Sequence, residues 1–171
     1  MKQLNKILLL IFFAFISIFS LNTDTQANEL TPIKILFIGN SSTYYNNMPF
    51  MVEGLAKADN IDCQVKSITA SNYKLSQFAT PDNSYNTEIM NALSTEKWDF
   101  VVLQEHREVI MQNLEKTQTA LATLKKSIDD CGAKTILYET QADRIGHDFT
   151  INGTSIYFEH NTLQYYINKN Y

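Results

Sequence analysis

The sequence predicts an α/β domain built on a parallel sheet with helices on both faces. Three observations carry this reading. Apart from Lys34, Asp99 and Gln104, the runs Ile33–Gly39 and Trp98–Gln104 are apolar without alternation, as suits parallel strands covered on both sides. The segment Asn113–Asp130 repeats its apolar residues at helical spacing. Strand-type and helix-type segments alternate four times along the chain, the pattern of consecutive βαβ units.

Taken in order, Ile33–Gly39 is the first strand. Met48–Asp59 follows as a helix, with Met48, Met51, Val52, Leu55 and Ala56 on one face and Pro49 in the first turn. Cys63–Thr69 alternates and forms the second strand, with Ala70–Tyr73 as its exit. Residues 74–83 read as irregular, with turn chemistry at Pro81–Ser84. Thr87–Ser94 is a short helix carrying Ile89, Met90 and Leu93. Trp98–Gln104 is the third strand. In Asn113–Asp130, Leu114, Thr117, Leu121, Leu124 and Ile128 repeat at three and four, and Gly132 closes the helix. Thr135–Thr140 is the fourth strand, Gly146–Gly153 a polar loop and Ser155–Asn170 a last helix. No repeat, low-complexity tract or interdomain linker interrupts this order.

The chain begins with Lys2 and Lys6, then the apolar run Ile7–Leu21, then Thr25-Gln26-Ala27. A basic start, a short apolar stretch and small residues before a cut describe a secretory signal over residues 1–27. One domain over residues 28–171 follows, secreted or periplasmic, with no stable membrane anchor after cleavage. The net charge of −4 and the absence of a basic run argue against a nucleic-acid partner. Neither Cys63 nor Cys131 has metal-ligand spacing with a histidine, and no metal site is expected.

The chemistry concentrates at Ile35-Leu-Phe-Ile-Gly-Asn-Ser-Ser-Thr-Tyr-Tyr-Asn-Asn-Met-Pro49. An apolar strand runs into Gly39-Asn40-Ser41, which sets a serine at the carboxyl end of the first strand, where ligands collect in open α/β sheets. This segment resembles the first block of the SGNH (GDSL-like) hydrolases, and is closer to a secreted subgroup with Gly-Asn-Ser in place of Gly-Asp-Ser. The resemblance implies a three-layer flavodoxin-like sheet of order 2-1-3-4 and a serine esterase acting on acyl or acetyl esters, with carbohydrate esters favoured. Ser41 would be the nucleophile, its own N–H together with Asn72 and Gln104 the oxyanion donors. Asn40, Tyr44, Asn46, Tyr73 and His106 would line the substrate cleft. No cofactor is implied. In that strand order Cys63 and Cys131 sit three strand spacings apart, about 14 Å, so two free thiols are expected.

The sequence departs from the family in three places. Ser71-Asn72-Tyr73 replaces the glycines of the second block, although Asn tolerates the left-handed backbone a turn there needs. Leu103-Gln104-Glu105-His106 replaces Gly-x-Asn-Asp, in the manner of the secreted subgroup. No Asp-x-x-His occurs; Asp143 and His147 are spaced by four, and His106 and His160 are the other histidines. The resemblance runs over residues 33–171, so a domain without its C-terminal histidine block and fifth strand is expected. Such a domain would be weakly active or inactive and would carry an open sheet edge prone to self-association. The alternative is a non-catalytic secreted carbohydrate-binding domain using Tyr44, Tyr45, Asn46 and Tyr73. A nucleotide-binding domain fits less well, because the first strand's exit lacks the glycines a pyrophosphate needs.

Overall fold

The computed structural model describes residues 31–171. The signal expected over residues 1–27, and the address it implies, lie outside the described residues. Among the described residues, no helix is long and apolar enough to cross a membrane.

Four parallel strands form the main sheet in the order β2-β1-β3-β4: β1 Ile33–Gly39, β2 Cys63–Thr69, β3 Phe100–Leu103 and β4 Lys134–Leu137. The expected strand order and the flanking helices are both present. Ile38 faces Ile68 on one side and Leu103 on the other, and Leu103 faces Leu137, so the strands end level at one edge of the sheet. The helices are α1 Ser41–Tyr44, α2 Met48–Ala58, α3 Leu75–Phe78, α4 Ser84–Thr95, α5 Arg107–Gln112, α6 Leu114–Asp130 and α7 His160–Asn170. A second, two-stranded antiparallel sheet pairs β5 His147–Ile151 with β6 Thr154–Phe158.

The main core lies between one sheet face and helices α3, α4 and α6. Leu36, Ile38, Val101 and Leu103 meet Phe78, Ile89, Leu124 and Ile128 there, all fully buried. Trp98 closes the bottom of this core and donates its indole N–H to Ala92 O at 3.0 Å. A smaller cluster of Ala142, Phe149, Leu163 and Ile167 joins the hairpin to α7. Cys63 and Cys131 are both free thiols, as expected.

Four local readings need correction. Residues 74–83 contain a turn of helix, α3, which buries Leu75 and Phe78. The α4 helix starts at Ser84, because Asn83 caps it by accepting from Tyr85 N at 2.9 Å. The polar loop at 146–153 and the start of the last helix are instead the β5–β6 hairpin. Its turn is Asn152-Gly153, both at positive φ, the type I′ pair that matches strand twist. Finally, α2 turns a different face to the sheet than its apolar spacing suggests. Met51 and Leu55 are 54% and 70% exposed, while Pro49 is buried and Val52 and Ala56 are half-buried. Glu53 fixes this rotation by accepting from Val65 N of β2 at 3.3 Å.

Candidate active site

The carboxyl edge of the sheet is laced together around the exit of β1. Asn40 is 1% exposed and caps α1: its side-chain oxygen accepts from Ser42 N at 3.0 Å. Its amide nitrogen donates to Tyr73 O at 2.9 Å, which ties the exit of β1 to that of β2. Its backbone N–H donates to Gln104 Oε1 at 2.8 Å, which ties it to β3. Thr43 Oγ1 donates to the same oxygen at 2.9 Å. There is no room here for a larger residue than Gly39, because a Cβ would fall 2.7 Å from Gln104 Oε1.

This lacing presents Ser41. It is the first residue of α1, so its N–H has no intrahelical acceptor. It is half-buried and lines a cleft of about 460 Å³ together with Ser42, Tyr45, Asn46, Met48 and Met51 on one wall and Arg107, Tyr138, Thr140 and Gln141 on the other. The first wall is the exit of β1. The second comes from the exits of β3 and β4. Asn46 holds a left-handed backbone, φ 53°, that bends the first wall around the cleft.

Of the residues expected in the site, Ser41 and Asn46 line the cleft, as does Tyr45 of the carbohydrate-binding alternative. Gln104 does not. Its carbonyl accepts twice and its amide nitrogen donates to Glu105 O at 2.5 Å, so it is a buried strut between loops. Asn40 is likewise buried in its own loop. Tyr73 turns inward, with its ring edge-on to Phe78 and Tyr85 at 5.1 and 5.0 Å. Asn72 does take the left-handed backbone, φ 60°, but it is outside the cleft lining. Tyr44 is exposed beside the cleft without lining it. His106 caps α5: its Nδ1 accepts from Glu108 N at 3.3 Å, and burial holds the ring below the usual histidine range.

No family model matches the sequence, and no curated protein does. Solved structures do match. A protein from Slackia heliotrinireducens, classed as a candidate SGNH hydrolase, superposes with a TM-score of 0.68 at 24% identity, over 81% of this chain and 71% of that one. The psychrotrophic esterase EstA from Pseudoalteromonas, solved with monoethylphosphonate as inhibitor, gives 0.53 at 14% identity, over 80% and 70%. The SGNH-family esterase AlinE4 gives 0.52 at 12% identity, over 66% and 61%.

The chain has the SGNH-hydrolase fold.

Ser41 stands on the cleft at the carboxyl edge of the sheet. Among the described residues, no histidine lines the cleft. His147 and His160 instead gather at Asp143. His147 Nδ1 lies 3.3 Å from Asp143 Oδ2, and His160 Nδ1 lies 2.9 Å from Asp143 O. Arg107 Nη2 approaches the same Oδ2 at 2.9 Å, which makes Asp143 the junction of α5, the hairpin and α7.

Sequence reasoning missed Ser42, Arg107, Tyr138, Thr140, Gln141 and the two methionines. Met48 and Met51 matched a helical core stripe, which hid them. Arg107 opens a short helix that the sequence reading passed over. The available signal for the second wall was position alone: residues just past β3 and β4 must stand at the carboxyl edge.

Proposed function

We propose that this chain is a serine ester hydrolase domain of SGNH type, acting on small acyl or acetyl esters carried by a carbohydrate. The observation that supports it is Ser41 on an open cleft at the carboxyl edge, at the start of a helix. In this reading Ser41 Oγ adds to the ester carbonyl carbon. The Ser41 N–H and the dipole of the first helical turn face the oxygen as it becomes negative. The alcohol leaves with a proton, and water then cleaves the acyl-serine. Tyr45, Asn46, Gln141 and the serine hydroxyls offer the aromatic faces and hydrogen-bonding groups that a sugar alcohol requires.

Since no histidine lines the cleft among the described residues, proton removal from Ser41 falls to solvent. The 171-residue polypeptide is therefore proposed to turn over slowly, because a serine hydroxyl without a base is a weak nucleophile. The test is labelling by a fluorophosphonate together with hydrolysis of 4-nitrophenyl acetate. Slow label at Ser41, lost in Ser41→Ala, supports the reading. A label elsewhere, or turnover unchanged by Ser41→Ala, overturns it. Glycan binding that persists while Ser41 never takes the label would favour the non-catalytic carbohydrate-binding domain.

A further inference from the structure

A pocket of about 140 Å³ lies on the side of the sheet that carries α6, and it shares no lining residue with the Ser41 cleft. Its floor is apolar: Leu75, Leu103 and Ile110 are each no more than 2% exposed. Set into that floor is Glu105, itself 1% exposed. Leu137 and Gln118 are exposed and form the rim, so the pocket has an open side.

Glu105 has no counter-ion. Its oxygens accept from Leu75 N at 3.1 Å, His106 N at 2.5 Å and Thr117 Oγ1 at 3.2 Å, and none of these donors is a cation. The share is uneven. Oε1 takes both backbone N–H groups, and Oε2 takes only the hydroxyl of Thr117, which also lines the pocket. A carboxylate accommodates about four donors, so Oε2 has a vacancy on the pocket side. Burial pushes this carboxyl above the usual carboxylate range, and Lys74 is the weakest of the influences that offset it. Buried charges are as a rule paired with an opposite charge, and here the protein supplies none. An apolar pocket with a few placed polar groups is the usual form of a small-molecule site.

We propose that this pocket binds a small aliphatic ammonium compound, with its alkyl body against Leu75, Leu103 and Ile110 and its charged nitrogen on Glu105 Oε2. The proposal stands apart from the esterase reading. A cavity of about 150 Å³ takes up benzene, so the size admits a body of about six non-hydrogen atoms. An anion would be repelled by Glu105, and a neutral alkane or alcohol would leave that charge unpaired. Asn170, at the side of the pocket, commits its amide nitrogen to Ile110 O at 3.0 Å, which leaves its carbonyl oxygen for a second N–H of the ammonium.

The test compares 3-methylbutylamine with 3-methylbutan-1-ol, which share a carbon skeleton and differ in charge. Binding to the full chain is measured by calorimetry at neutral pH. The amine is expected to bind at least about tenfold tighter than the alcohol, the usual worth of a charge-assisted hydrogen bond. Glu105→Gln should bring the ratio to about one. Gln118→Trp, at the exposed rim, should block both ligands without touching the buried floor. Ser41→Ala should leave both affinities unchanged. Thermal melts check that each variant is folded, and if Glu105→Gln is not, Gln118→Trp decides alone. Equal binding of the two compounds, no binding of the amine, a preference that survives Glu105→Gln, or amine binding that survives Gln118→Trp overturns the proposal. Amine binding lost in Ser41→Ala would put the ligand in the other cleft and overturn it as well.

Discussion

The backbone N–H of Asn40 donates to the side-chain oxygen of Gln104 across 64 residues of sequence, at 2.8 Å. One buried amide thereby fixes how the exit of β1 sits against the exit of β3. Ser41 follows Asn40 directly, so its position depends on an amide that does not line the cleft.

Removing that amide should be costly. Gln104→Ala leaves the Asn40 N–H and the Thr43 hydroxyl without an acceptor in a buried place. A loss of about 2–4 kcal/mol in urea unfolding is expected. Phosphonate labelling at Ser41 should fall with it. Unchanged stability would show that the lacing is dispensable.

Ser41→Ala is the contrasting case. Among the described residues Ser41 Oγ makes no hydrogen bond, so the melt should shift by no more than about 0.5 kcal/mol. Hydrolysis and labelling should vanish. A large stability loss would mean that the serine is structural.

Glu105 gives a pH dependence. Its carboxyl is 1% exposed and accepts from Leu75 N, His106 N and Thr117 Oγ1. Burial still outweighs these bonds and pushes its pKa above the usual carboxylate range. A folded-state pKa above the unfolded one means that the native form holds the proton more tightly. The contribution is complete below the unfolded carboxylate value and is lost as pH rises through the folded value. Stability should fall across that window in the wild type, and the fall should be smaller in Glu105→Gln. Urea melts at several pH values decide this, and identical slopes would refute it.

Gly146 tests the hairpin. It has φ +85°, and an added Cβ would collide with Phe158 O and crowd the Tyr157 hydroxyl. Gly146→Ala should cost about 1–3 kcal/mol, with faster amide exchange at Phe149 and Ile151. Exchange rates like the wild type would show that the chain absorbs the methyl elsewhere.

The edge of β4 should mediate self-association. Among the described residues β4 pairs with β3 alone, and Ile136 and Leu137 are exposed there. Sedimentation of residues 28–171 should shift with concentration, and Ile136→Lys should reduce the shift. A monomer at all concentrations would rule this out.

The sheet was legible because its strands are short apolar runs between turn residues, and such runs have one stable use in a domain of this size. Ser41 was legible because a serine just past β1 has to stand at the carboxyl edge. Direction was not legible. Asn40, Tyr73 and Gln104 also stand at that edge, but their side chains point into loops and core, and nothing in a linear sequence shows which way a strand-end side chain turns. The second wall was hidden for a related reason. Arg107 and Thr140 are far from Ser41 in sequence and meet it only through the order of the strands. The hairpin had a signal, Asn152-Gly153 between β-branched residues, but the same residues also suit a polar loop.

That Asn-Gly pair also sets a chemical lifetime. With no side chain on Gly153, its backbone nitrogen can attack the Asn152 amide, expel ammonia and pass through a cyclic imide to isoaspartate. The extra methylene would then lie in the main chain of a two-residue turn, and β5 and β6 could no longer keep their register. Ageing would start at the tip of the hairpin and spread toward His147 and Asp143, so an old preparation should lose the wall behind Arg107 before it loses the sheet.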